Sequence, residues 1–282
     1  MWKAKSTLLS HLGKKWKNAY VLITLMGMDT TLPARISSIV TGVCHRGLHD
    51  LDKPENSQAA FRAAIEAHLP FECDVHLTKD GRILVCHDSD LTRMCHKPGI
   101  IEELTFDEIR EGYSLPDGSK LMEFSELLDL NHGQVPMVIE LKAYGNNAAS
   151  LAQAVIPLVN AMPNVGQCYV ISFSADALRE ARKHNCVPPV GFLVGTEAVK
   201  HASKELLEEF DFLDVEVHYS LLPRFRRYRK KGGALMCWTV KNKLTYRIGK
   251  RRCHCLTWEK VDSSKEKNEV NRFIEKKLDP RY

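Results

Sequence analysis

A (β/α)8 barrel is the fold the sequence predicts, and three observations predict it. From residue 40 onward, short apolar, β-rich segments alternate with amphipathic helical stretches, as in a parallel sheet wrapped by helices. About eight such units follow one another, which suits closure of the sheet into a barrel. The length, 282 residues, accommodates one large α/β barrel with a well-buried core.

The elements follow in order. Residues 1–39 read as a basic N-terminal extension. In it Trp2, Leu8, Leu9, Leu12 and Trp16 share one helical face among lysines, so peripheral membrane contact through residues 1–30 is expected. The apolar run Ala19–Met28 is too short to span a bilayer. The barrel is expected over residues 40–262. Ile39–Cys44 is its first strand, and Pro54-Glu55-Asn56-Ser57 opens a helix through Ala67, capped by Asn56 or Ser57. Phe71–His76 is a second strand, Lys79-Asp80-Gly81 a turn, and Ile83–His87 a third strand-like run. Residues 88–121 break the rhythm with Pro98-Gly99, a short helix from about Thr105, and the turn Pro116-Asp117-Gly118; they read as a small inserted subdomain over one end of the barrel. Strands then follow at Met137–Leu141, Cys168–Ser172, Val190–Leu193, Phe212–Val217, Ala234–Val240 and Cys253–Thr257. Helices are expected at Ala148–Val159, Ala175–His184, Glu197–Glu209 and Leu222–Lys231, and residues 263–282 form a charged C-terminal helix or tail.

Composition excludes some classes. A chain that is 44% hydrophobic and 27% charged is globular, not disordered. Residues 1–28 hold five lysines and no acid; the remainder balances 35 basic against 35 acidic residues, so the body as a whole has no global attraction to nucleic acid. The run Arg224, Arg226, Arg227, Arg229, Lys230 and Lys231 reads as the solvated face of a barrel helix. Nine irregularly spaced cysteines read as reduced thiols, which points to a cytoplasmic protein, and the N-terminal extension adds the expectation of membrane association. Cys253-His254-Cys255 is spaced too tightly to place three side chains on one ion.

Chemistry-bearing residues collect at strand ends. His45 and Arg46 end the first strand, Glu72 and Asp74 sit on the second, His87 ends the third, and Glu140 and Lys142 end the next. Barrel enzymes build their sites from strand C-termini, so these groups can converge on one mouth. Glu72 and Asp74 are two apart on a strand and share a face, as do Glu140 and Lys142. Three carboxylates facing one cavity repel each other unless a cation lies between them, and oxygen ligands suit Mg²⁺ or Ca²⁺. Cys73 and Leu141 then face the helices, and Cys44 and Cys86 are expected to do the same. His49, His76 and His96 fit no role in this constellation.

The ordered set His45-Arg46-Gly47, Pro54-Glu55-Asn56-Ser57 with Ala60-Phe61, Glu72-Cys73-Asp74-Val75 with Thr78-Lys79-Asp80-Gly81, His87-Asp88 with Leu91-Thr92-Arg93, and Glu140-Leu141-Lys142 closely resembles the glycerophosphodiester phosphodiesterase family. The likeness is firm over residues 40–142. It thins through Ser172-Phe173, the strand around Asp211–Glu216, and Trp238-Thr239-Val240. It implies a TIM barrel with a small inserted subdomain and one divalent cation, Mg²⁺ or Ca²⁺, held by Glu72, Asp74 and Glu140. It also implies His45 as base and His87 as acid, Arg46 and Lys142 on the phosphate, Glu55 orienting the site, and Trp238 as an apolar wall near the glycerol. The chain departs from the family at Thr257-Trp258-Glu259-Lys260, where Thr-Asp and then Pro are usual.

The expected reaction is metal-dependent hydrolysis of a small glycerophosphodiester to sn-glycerol 3-phosphate and an alcohol, with water or the neighbouring glycerol hydroxyl as nucleophile. Two rival readings stand beside it. One is a phospholipase D-like action on lysophospholipids or sphingomyelin. The other is a non-catalytic phosphate- or lipid-binding module, which would not need both histidines and all three carboxylates.

Overall fold

The structure, a computed structural model, describes residues 42–259. The expected N-terminal extension with its membrane contact, the start of strand Ile39–Cys44 and the charged segment 263–282 lie outside the described residues.

One sheet contains β1 (Gly42–Cys44), β2 (Phe71–Leu77), β3 (Ile83–Val85), β4 (Met122–Glu123), β5 (Met137–Leu141), β6 (Cys168–Ser172), β7 (Val190–Val194), β8 (Phe212–Glu216), β9 (Ala234–Val240) and β10 (Cys255–Trp258). All but β3 and β4 run parallel, in chain order around the sheet. β1 pairs with both β10 and β2, and that closes an eight-stranded barrel. The helices are α1 (Gln58–Glu66), α2 (Thr92–Cys95), α3 (Phe106–Gly112), α4 (Phe124–Asn131), α5 (Ala148–Asn160), α6 (Ala175–Lys183), α7 (Thr196–His201), α8 (Lys204–Glu208), α9 (Pro223–Lys230) and α10 (Lys243–Arg252).

Local chemistry explains where the elements begin. Ser57 caps α1 by accepting from the Ala60 N–H, and Ala60, Phe61, Ala64 and Ile65 form its buried side. The single helix expected over 197–209 is two: Ala202 turns extended after α7, and the Ser203 side chain starts α8 by accepting from Leu206 N. Helices α2, α4 and α10 are additions to the predicted set. The last two open on capping boxes, Glu123 with Glu126 and Asn242 with Thr245.

The third strand-like run is not a barrel stave. Strand β2 outruns the barrel, and β3 folds back antiparallel on its far end, pairing Val75 with Val85 and Leu77 with Ile83. The insertion that follows has its own apolar core, including Leu84, Leu91, Ile101, Phe106, Ile109 and Leu121. Cys86 belongs to that core and not to the helix layer, because β3 has left the barrel wall.

Side-chain alternation gives the barrel two cores. Val43, Val138, Tyr169, Ile171, Leu193, Phe212 and Met236 fill the interior. Cys44, Cys73, Ile139, Leu141 and their counterparts pack outward against the helices. Cys253 and Cys255 fall on opposite sides of this wall, and the His254 ring accepts from Leu235 N, so the three do not meet on one ion. Gly191 on β7 makes room inside: a Cβ there would lie 2.2 Å from the Phe212 ring. Gly191→Ala is expected to lower the unfolding free energy by about 1–3 kcal/mol through overpacking. Denaturant titration would show it as a lower midpoint at unchanged slope; an unchanged midpoint would mean that the ring moves aside at no cost.

Candidate active site

The barrel's C-terminal mouth gathers the charged groups of β1, β2 and β5. Asp74 on β2 stands in register with Glu140 on β5, and Glu72 lies one pleat below Asp74. Oxygens of Glu72, Asp74 and Glu140 all lie within 4.8 Å of one another, and the three side chains are buried. Among the described residues this is the one such group that could hold a metal ion.

Crowding of buried like charges sets their protonation. Burial, then Asp74 and Glu140, push Glu72 well above the carboxylate range. Burial lifts Glu140 to about 7 against the pull of Lys142. Asp74 is also desolvated, but Lys142, Arg46 and His87, with a hydrogen bond from Asn56, hold it below its ordinary value. The Asn56 amide donates to Asp74 Oδ2 at 2.8 Å, while the buried Oδ1 accepts no hydrogen bond and has Lys142 Nζ at 3.5 Å.

The loop after β1 brings in the next groups. The Arg46 backbone N–H donates to Glu72 Oε2 at 2.8 Å, with Arg46 at φ 54° and Gly47 at φ 81°. Gly47 is required twice over, by its left-handed backbone and because a Cβ would come within 2.9 Å of the Ala60 carbonyl carbon. The Arg46 guanidinium bonds Glu55 Oε1 at 2.7 Å, and its buried Nε–H lies 3.5 Å from Asp74 Oδ2 without a hydrogen bond. Lys142 Nζ donates to Glu140 Oε1 at 2.9 Å.

Both histidines carry a carboxylate on Nδ1. His45 Nδ1 is 3.2 Å from Glu259 Oε2, and His87 Nδ1 is 2.6 Å from Asp88 Oδ1. A carboxylate only accepts, so Nδ1 holds the hydrogen in each ring and Nε2 is left to exchange a proton. Burial lowers the pKa of His45 despite Glu259, and burial likewise lowers that of His87, although Asp74 opposes it. Glu259 itself is drawn down to about 2, since His45 and Lys241 outweigh its desolvation.

His87 arrives by a route the barrel pattern does not contain. The β3 return strand, with Cys86 N bonded to Asp74 O at 3.1 Å, carries the chain back to the mouth. Beneath it lies His76. Its Nδ1 meets Glu102 Oε1 of the insertion at 2.6 Å, and its Nε2 donates to the His87 carbonyl at 3.1 Å. Asp88 continues through Arg93 to Glu55, whose oxygen bonds Arg93 at 2.6 Å, so a chain of ion pairs links His87 to Arg46.

Trp238 stands apart from the carboxylates, on the β9 rim. Its ring meets Phe173 edge-on at 5.7 Å between centroids. It lines a cavity of about 330 Å³ with Glu216, His218, Lys241, Asn242 and Thr245. Of the residues set out from sequence, then, His45, Arg46, Glu55, Glu72, Asp74, His87, Glu140 and Lys142 come together, and Trp238 borders the adjoining cavity. Sequence reasoning missed Glu259, Asp88, Arg93, Asn56 and Glu102 as partners. Asp88, Arg93 and Asn56 lay within the recognised motifs, but no spacing rule pairs Glu259 with a histidine 214 positions away.

Residues 45–271 match the glycerophosphoryl diester phosphodiesterase family. A glycerophosphodiester phosphodiesterase of Caldanaerobacter subterraneus subsp. tengcongensis is 27% identical over 210 residues, covering 71% of this chain and 86% of that protein. The crystal structure of the glycerophosphodiester phosphodiesterase of Thermotoga maritima matches with a TM-score of 0.64 and 28% identity over 78% of this chain and 94% of that one. An Oleispira antarctica phosphodiesterase, solved in complex with the product sn-glycerol-3-phosphate, matches in fold with a TM-score of 0.71 at 19% identity, over 79% of this chain and 94% of that one.

Proposed function

The chain belongs to the glycerophosphoryl diester phosphodiesterase family, and from that premise we propose that it hydrolyses glycerophosphodiesters to sn-glycerol 3-phosphate and an alcohol by metal-assisted His/His catalysis. The observation that carries the reading is the meeting of three buried carboxylates with two cations and two histidines at the mouth of a barrel of this family.

The donor set fits a divalent cation. Glu72, Asp74 and Glu140 offer oxygens at close quarters, Asp74 Oδ1 lacks a hydrogen bond, and the burial and, after it, the mutual repulsion that raise Glu72 and Glu140 are what a cation would offset. All-oxygen coordination suits Mg²⁺ or Ca²⁺. Once bound, such an ion supplies charge neutralisation at the phosphoryl oxygens. The rest falls to the chain. The unpartnered Nε–H of Arg46 and the ammonium of Lys142 would hold the phosphodiester monoanion. His45 would take a proton on Nε2 from the attacking water or glycerol hydroxyl, its Nδ1–H kept in place by Glu259. His87 would return a proton from Nε2 to the leaving oxygen, with Asp88 fixing the ring. Glu55 would hold Arg46 in line, and Trp238 would wall the glycerol.

A substrate panel tests the reading. Glycerophosphocholine should release glycerol 3-phosphate in proportion to enzyme. Hydrolysis of lysophosphatidylcholine with glycerophosphocholine left intact would favour the phospholipase D-like alternative. Neither product, in protein loaded with Mg²⁺ or Ca²⁺, would leave a binding module.

A further inference from the structure

Charge is balanced over the whole chain but not around the barrel. Residues 42–216 hold 28 acidic and 15 basic residues, whereas residues 217–258 hold twelve Lys and Arg and no Asp or Glu. That acid-free stretch forms one sector of the barrel wall: α9 between β8 and β9, and α10 between β9 and β10. The two helices are tied together by Arg229, whose guanidinium donates to the Arg251 carbonyl at 3.0 Å. Arg226, Arg227, Lys230, Arg247, Lys250 and Arg251 are exposed on them. Cations in a last helical turn also suit the helix dipole. That local role accounts for single residues, not for the lack of acids along the whole stretch, whose neighbouring acids come from outside it, Glu208 beside Lys231 and Glu259 beside Lys241.

Apolar side chains complete the sector at its mouth end. Leu221, just before α9, is 48% exposed, and Leu244, in the first turn of α10, is 62% exposed. The 330 Å³ cavity beside Trp238 opens between these same two loops, with Lys241 and Thr245 in its lining. A cationic wall edged by protruding leucines complements an anionic bilayer, whose head groups take the charge and whose acyl region takes the leucines. A nucleic acid would use the cations and leave the leucines in water.

We propose that the α9–α10 sector is a docking surface for anionic membranes, which would lay the barrel with the mouth cavity beside the lipid head groups. The surface is separate from the catalytic groups, so its failure and a failure of the catalytic reading can be told apart.

The test uses the full chain and vesicles of phosphatidylcholine alone or of phosphatidylcholine mixed with phosphatidylserine as the anionic lipid. Binding is expected to need the anionic lipid and to weaken with salt. The charge-reversal variant Arg226→Glu/Arg227→Glu/Lys250→Glu/Arg251→Glu should lose at least about a hundredfold in partitioning, since each cation near such a surface is worth about fivefold. Leu221→Ser/Leu244→Ser should weaken binding with its salt dependence intact. Circular dichroism and turnover of soluble glycerophosphocholine should stay unchanged in both, which excludes misfolding. Unchanged partitioning of the charge-reversal variant would overturn the proposal and leave binding to other parts of the chain. Equal affinity for a short DNA duplex, lost by charge reversal but indifferent to the leucines, would overturn it in favour of a general polyanion surface.

Discussion

His87→Ala is expected to lose about 10²- to 10⁴-fold in kcat on a glycerophosphodiester with an alkyl leaving group, and to recover most of that loss on an aryl phosphodiester. An alkoxide leaves poorly unless protonated as it departs; an aryloxide leaves without that help. His45→Ala should lose a similar factor on both substrates, because an attacking hydroxyl must shed its proton whatever leaves. The geometry gives each ring one nitrogen for a single proton, and the leaving-group test assigns the roles. Each ring has its Nδ1 against a carboxylate, Glu259 for His45 and Asp88 for His87, so each has Nε2 available for one proton. Single-turnover assays on the two substrates would read it. Recovery by His45→Ala in place of His87→Ala would reverse the roles, and near-normal turnover of a natural substrate by both variants would sink the mechanism. His76→Ala is a control of a different kind. Its ring touches no catalytic atom but holds the His87 carbonyl and Glu102, so it should cost less than either, through the position of the loop.

How far the sequence carried depended on the range of the interaction. Strands such as Met137–Leu141 and Cys168–Ser172 were legible to the residue because a buried parallel strand is a short apolar run with turn signals at both ends. The triad was legible because an i, i+2 pair on a strand faces one way and β2 neighbours β5 in the barrel order. Ile83–His87 looked like another stave because apolar content does not encode strand direction; only the tight turn at Lys79-Asp80-Gly81 hinted that it doubles back on β2. Helix α10 was hidden by its composition. Its exposed face is so cationic that only Thr245, Tyr246 and Gly249 are buried, and the apolar stripe that marks a helix is nearly gone. Glu259 was set aside as part of a departure from the family, yet it reaches His45 because β10 and β1 are neighbours only after the barrel closes.

Removing divalent ions is expected to abolish hydrolysis, and adding Mg²⁺ or Ca²⁺ to restore it. A rival account keeps the carboxylates as anchors for Lys142 and Arg46, with which they already make ion pairs. Stability separates the two. An ion that binds only the folded chain, at a hundred times its Kd, adds about 2.7 kcal/mol, or about 5–10 °C in Tm for a domain of this size. Glu140→Gln and Glu72→Gln should lose that increment while the fold persists. The pH dependence gives a second check. Glu140 is raised from its ordinary 4.5 to about 7, and Glu72 is raised too, so between those values these two carboxyls bind more protons in the folded, metal-free chain than in the unfolded one. Their contribution to stability therefore falls as pH rises from about 4.5 to about 7, while the lowered His45 and His87 contribute the opposite slope just below 6.5. The ion competes with those protons, so the metal-induced Tm shift should grow across the same window. A shift that is absent at pH 7.5, or that is as large at pH 5 as at pH 7.5, would mean that the carboxylates serve the cationic side chains and not a metal. Full hydrolysis in chelator by protein shown to be metal-free would lead to the same conclusion by a separate route.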